Sequence, residues 1–165
     1  KGEHVMNLLE RVANSKIMTA FLYLLFAAYL LLLSYLLFFG YYRQDIRVED
    51  YNLTPFETIK MYIIYMDYFS FRIWFTNLFG NIIAFMPLGF LLPLLSERWK
   101  GAIKITIFSF FVSLTVETIQ LVFHVGGFDV DDMILNTIGG LFGYMLLKIL
   151  QSAAAAMLIQ SKVHK

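Results

Sequence analysis

The sequence contains no cysteine, which excludes disulfides, thiolate metal ligands and thiol nucleophiles together. Charge is also scarce: Asp, Glu, Lys and Arg make up 15% of the 165 residues, against 59% hydrophobic ones. That is too little polar surface to cover a water-soluble globule of this size, and a mean hydropathy of +0.69 places the chain among integral membrane proteins. There are only three prolines, two of them inside one apolar run. The net charge of +1 says little about partners, and nucleic acid is not expected among them. The opening segment KGEHVMNLLERVANSK lacks a short apolar core followed by a small-residue cleavage site, so no signal peptide is read there.

What the chain has instead is four long apolar runs, each long enough to cross the roughly 30 Å hydrocarbon layer of a bilayer as a helix. The expected fold class is an all-α integral membrane protein, a four-transmembrane-helix bundle forming one domain over residues 1–165. The first span is expected at about 17–39, the second at about 71–95, the third at about 102–123 and the fourth at about 132–150, with a cytoplasmic extension of the last. Residues 1–16 carry Val5, Leu8, Leu9 and Val12 at helical spacing between charges and read as a helix along the membrane surface.

Between the first two spans, Thr54 and Glu57 have capping-box spacing with Pro55 at the first helical position. They predict an interfacial or re-entrant helix over about 55–69, too short and too charged to span. Nine of the 13 bases fall in the amino-terminal segment, the 96–104 turn and the carboxy-terminal segment, while the 124–132 loop has none. The positive-inside rule therefore puts both termini on the cytoplasmic side, with Tyr41, Tyr42, Tyr68 and Trp74 as an outer aromatic belt. Asp45, Glu49, Asp50 and the acids of the 124–132 loop then lie outside.

Polar residues inside the apolar runs mark where chemistry could reside. Asn77 and Asn81 stand at i,i+4 and share a face of the second span. Glu117 and Gln120 stand at i,i+3 on the third, and Asp132 and Asn136 at i,i+4 on the fourth. Glu117 is the most informative residue, because a carboxylate in a span is costly unless it is protonated, paired or wet. With no base inside the apolar part of any span, it implies a raised pKa, a bound cation or a cationic ligand group, and Arg72 is the nearest candidate partner.

Each amide also has a plainer reading as interhelical hydrogen-bond glue. Asp129, Asp131 and Asp132 are candidate ligands for a divalent cation, or simply acids at the positive end of the fourth helix. His124 reads as a boundary residue or a proton carrier. Gly139-x3-Gly143, with Gly140, is a close-packing signature. No Ser, His and carboxylate form a triad, and Gly126-Gly127 is no phosphate cradle.

Three separated motifs carry a resemblance. They are Asn77-x3-Asn81-x3-Phe85-x-Pro87-Leu88-Gly89-Phe90, then Glu117-x2-Gln120, then Phe128-Asp129-Val130-Asp131-Asp132-x3-Asn136-Thr137-x-Gly139-Gly140-x2-Gly143. In this order, with Asn52-Leu53-Thr54-Pro55-Phe56 upstream, the chain resembles the VanZ-like family of small bacterial membrane proteins over about residues 17–150. The resemblance implies a bacterial cytoplasmic-membrane protein associated with low-level resistance to the glycopeptide teicoplanin. Many members carry a base just before the Phe-Asp motif, where this chain has Gly127, so an anion-binding role for that base does not transfer.

Two functional readings follow. The first is a non-enzymatic envelope protein whose outward-facing polar pocket, lined by Asn77, Asn81, Glu117, Gln120, Asp132 and Asn136, binds a lipid headgroup, a lipid-linked cell-wall precursor or the glycopeptide antibiotic. It needs no cofactor, and a transport role would require a homo-oligomer. The alternative is an intramembrane enzyme acting on a lipid-linked phosphate or sugar, with a divalent cation on Asp129, Asp131 and Asp132 and Glu117 as the catalytic general base.

Overall fold

The computed structural model describes residues 16–39 and 51–163. Residues 1–15 of the expected surface helix, Tyr41, Tyr42, Asp45, Glu49, Asp50, His164 and Lys165 lie outside the described residues. Every described element is helical, and four helices are long and apolar enough to cross a membrane. Helix α1 is Lys16–Phe39 and α2 is Glu57–Ile64, followed by a 3-10 turn at Met66–Tyr68. Helix α3 runs Phe71–Leu95, α4 is Ala102–Val122 and α5 is Val130–Val163. At about 1.5 Å per residue, α5 is longer than a bilayer core requires. Its side chains from Gln151 to Gln160 are all exposed, as expected for a portion that leaves the bundle.

The start of α2 corrects the sequence reading. The helix begins at Glu57, preceded by Phe56 in the left-handed region at φ 68°, and no side chain of its own caps it. Thr54 serves through its backbone, accepting from Glu57 N at 3.3 Å. The cap comes from Asp131, 75 residues further on: one carboxylate oxygen accepts from Phe56 N and the other from Ile59 N at 3.1 Å. Capping-box spacing describes a local bond that a buried carboxylate from another helix has replaced.

Helix α3 is continuous but not regular. Between α-helical pieces at Phe71–Phe75 and Asn81–Leu95, residues Thr76–Gly80 form a wider π turn, and Asn77 Nδ2 donates to Ile73 O at 2.8 Å across it. Pro87 and Pro93 both lie inside the second piece. Having no N–H, Pro87 leaves the carbonyl of Ile83 without its helical donor. Beside it, the Tyr29 hydroxyl of α1 donates to Ala84 O at 2.9 Å. Helix interruptions at membrane depth survive only where neighbours make good the loosened backbone, and here two side chains bond to it.

The bundle is tightest between α3 and α5. A Cβ built on Gly139 would stand 2.3 Å from Ile82 O, and one on Gly143 1.9 Å from Met86 O. One on Gly89 would stand 1.8 Å from Gly140 O, and one on Gly140 2.0 Å from Ser109 Oγ. The two helices thus touch backbone to backbone, the use of small residues that the glycine spacing predicts. Helix α1 is held differently: among its described side chains only Leu33 and Leu37 are buried, against Phe85, Leu88 and Val116.

Candidate functional site at the amino end of α5

Three bundle elements, α2, α3 and α4, direct side chains or peptide groups onto the loop and first turn that open α5. Asn52 pairs with this loop through its backbone, donating to Phe128 O at 2.8 Å and accepting from Val130 N at 3.1 Å. Its side chain then donates to Asp129 Oδ1 at 3.0 Å and Thr58 Oγ1 at 3.1 Å, while Thr58 Oγ1 donates to Asp129 Oδ2 at 2.8 Å. Asp129 also caps its own helix, accepting from Asp131 N at 2.7 Å.

Glu117 reaches the same place from α4. The residue is 2% exposed, and its Oε2 accepts from Asp129 N at 3.0 Å, at the positive end of α5. A peptide N–H at a helix start thus supplies part of what a carboxylate in a span needs. Arg72, expected as the counter-charge, is exposed in the first turn of α3. From α3, Asn81 Nδ2 donates to Asp132 Oδ1. From α2, half-buried Tyr62 has its hydroxyl pushed above the ordinary phenol range, by burial first and then by the Asp132 and Asp129 carboxylates.

Deeper in, Asn136 Nδ2 donates to Ser113 Oγ at 2.8 Å, and one turn below Ser113 lies Ser109. All three are at most 1% exposed, and Asn136 Oδ1 and Ser109 Oγ have no hydrogen-bond partner. Gln120, fully buried, ties α4 to α1 by donating to Leu37 O at 2.8 Å. Its own Oε1 is unpartnered.

The six residues expected to line one pocket are therefore distributed. Glu117, Asn81 and Asp132 meet at the start of α5, Asn136 lies one turn below in the α4–α5 seam, Gln120 turns to α1, and Asn77 bonds to its own helix. A cavity of about 580 Å³ lies elsewhere, between α1 and the α3–α5 pair, and none of the six lines it. The donor set at the acids does not suit a divalent cation. All four carboxylate oxygens of Asp129 and Asp131 accept from N–H or O–H groups, and among the described residues no three His, Asp or Glu side chains are grouped to hold a metal.

Asn52, Thr58, Tyr62, Ser109 and Ser113 were not among the expected site residues. A signal existed for the serines: Ser109, Ser113 and Glu117 recur every four residues and share one face of α4 with Gln120. Asn52 stood out only as part of the Asn52–Phe56 motif, and Thr58 not at all, because their partner Asp129 is more than 70 residues away.

Fold and site together define a small all-α membrane protein in which the acids opening the last span gather the preceding helices. The profile of the VanZ/LLP1 family matches residues 20–151, and the chain belongs to that family. Protein VanZ of Enterococcus faecium is 32% identical to it over 108 residues, covering 66% of this chain and 55% of that protein. The chain thus spans about half the length of the curated relative it matches. No solved structure matches it.

Proposed function

We propose that the protein acts in the bacterial cell envelope as a non-enzymatic determinant of glycopeptide resistance of the teicoplanin type. Its ligand in this reading is a lipid headgroup, a lipid-linked cell-wall precursor or the lipoglycopeptide, held at the amino end of α5 on the outer face of the cytoplasmic membrane. Membership of the VanZ/LLP1 family supports the resistance role. The distribution of Lys and Arg supports the orientation, with both termini cytoplasmic.

One observation carries the reading: Asp132 of α5 and Asn81 of α3 are bonded to each other, are each only partly buried, and sit on a support of bonds made by Glu117, Asp129, Asp131, Asn52 and Thr58. The support fixes partly buried polar side chains, which in this reading meet a ligand at the membrane surface. Asp132 would take a cationic or hydroxyl group, with the Asn81 amide and Tyr62 hydroxyl alongside.

The test is teicoplanin susceptibility of a sensitive Gram-positive host expressing the full chain or Asp132→Asn. The variant keeps an acceptor for Asn81 and removes the charge. The expected result is raised resistance with the parent chain and vector-level resistance with the variant, at equal amounts in the membrane. Unchanged resistance in the variant, or none with the parent chain, would overturn the proposal.

A further inference from the structure

We propose that the cleft between α1 and the α3–α5 pair is a binding site for one hydrocarbon chain of a bilayer lipid. The cleft lies beside the contacts that hold α1: Leu33 and Leu37 are buried, Leu37 O accepts from Gln120, and the Tyr29 hydroxyl donates to Ala84 O. Between α1 and the α3–α5 pair there remains a space of about 580 Å³, within the roughly 300–1,000 Å³ of small-molecule sites. Ala28 and Leu32 of α1, Pro87 and Phe90 of α3, and Gly143 and Leu146 of α5 line it. The single polar side chain in the lining, Tyr29, spends its hydroxyl on Ala84 O.

The chemistry of the occupant follows from that lining and from depth. Ordered water needs two to four polar partners, which this wall does not offer. An empty space of this size forfeits the dispersion contacts on which helix association in a bilayer depends. The lining residues of α1 lie in the middle of Lys16–Phe39, at the level of acyl chains.

A second feature leads to the cleft along α3. Phe71 stacks on Phe75 at 5.2 Å and Phe75 on Phe79 at 5.1 Å, all three exposed. The same four-residue interval continues through exposed Ile83 to Pro87 in the cleft wall. A chain lying on this apolar track would reach the cleft at its Pro87 end. This inference rests on membrane placement alone and is independent of the reading of the polar end.

The test uses the full chain in phosphatidylglycerol–phosphatidylcholine vesicles carrying a phosphatidylglycerol with a photoreactive group on its acyl chain, with labelled peptides mapped by mass spectrometry. The expected result is preferential labelling of the segments holding Ala28–Leu32 and Met86–Leu91 over the lipid-facing segment around exposed Ile107 of α4. Ala28→Trp or Leu32→Trp, each filling the cleft from α1, should abolish the preference, while Ile107→Trp should leave it intact. Thermal unfolding in detergent identifies a variant that fails to fold, and the other cleft variant then decides. Equal labelling of both faces in the parent chain, or a preference that survives cleft filling, would overturn the proposal.

Discussion

Helix α5 holds its neighbours by opposite means at its first turn and at the glycine seam two turns further on. At the first turn, Asp129, Asp131 and Asp132 collect donors from Asn52, Thr58, Asn81 and the peptide N–H groups of Phe56 and Ile59. At the seam, Gly139, Gly140 and Gly143 offer nothing but absence of side chain: the backbone of α3 fills the space at Gly139 and Gly143, and Ser109 of α4 fills it at Gly140. Directed bonds at the polar end tolerate a change of shape better than the loss of an acceptor. The seam tolerates loss of polarity and no gain of volume.

The seam should show the larger effect. In Gly143→Leu the first added carbon alone would lie 1.9 Å from Met86 O and 3.0 Å from Phe90 N, both backbone atoms that cannot swing aside. We expect destabilisation beyond the usual overpacking range of about 1–3 kcal/mol, seen as loss of the folded bundle in thermal melts followed by circular dichroism. A stable Gly143→Leu protein would show that α3 and α5 can separate.

At the polar end the identity of the substitution should matter more than its size. Glu117→Ala leaves Asp129 N without its acceptor and should destabilise by about 1–3 kcal/mol. Glu117→Gln keeps an oxygen there and should be distinctly milder, as measured by unfolding in detergent–denaturant titrations. Equal losses in the two variants would mean that charge, not acceptance from Asp129 N, is what Glu117 supplies.

Between the two regions lies the Ser113–Asn136 bond, shared by the α4–α5 interface. Ser113→Ala should lower stability by about 0.6–2 kcal/mol, the range for single hydrogen bonds between membrane helices. The same titration measures it, and a larger loss would show that the unpartnered Ser109 Oγ and Asn136 Oδ1 depend on Ser113. The smallest effect is expected at Asn77, whose amide bonds only to its own helix. Asn77→Ala should stay within about 0.5 kcal/mol of the parent chain, and a bigger change would assign the π turn a role in holding α5.

The same contrast explains which parts of the molecule the sequence disclosed. Four spans follow from run lengths, and the glycine seam follows from Gly139-x3-Gly143, because both depend on properties repeated along one helix. The i,i+4 spacing of Asn77 and Asn81 predicts a shared face, but a face is not a partner. One amide turns back to Ile73 and the other crosses to Asp132.

Asp131 shows the limit most clearly. Its place in the first turn of α5 reads as an acid favoured by the helix dipole, yet its carboxylate is fully buried capping α2. Nothing in the local pattern distinguishes a carboxylate that serves its own helix from one that serves another 75 residues away. Thr54 and Glu57 gave the right region for α2 and the wrong residue for its cap.

Hydrogen exchange at the start of α2 tests most directly whether the acids of α5 hold the molecule's polar end together. In the parent chain the amides of Phe56 and Ile59 should be protected. They should exchange rapidly in Asp131→Ala, while amides of the α3–α5 seam keep their protection. Unchanged protection of Phe56 and Ile59 in that variant would contradict the account, because α2 would then be held in place without the carboxylate.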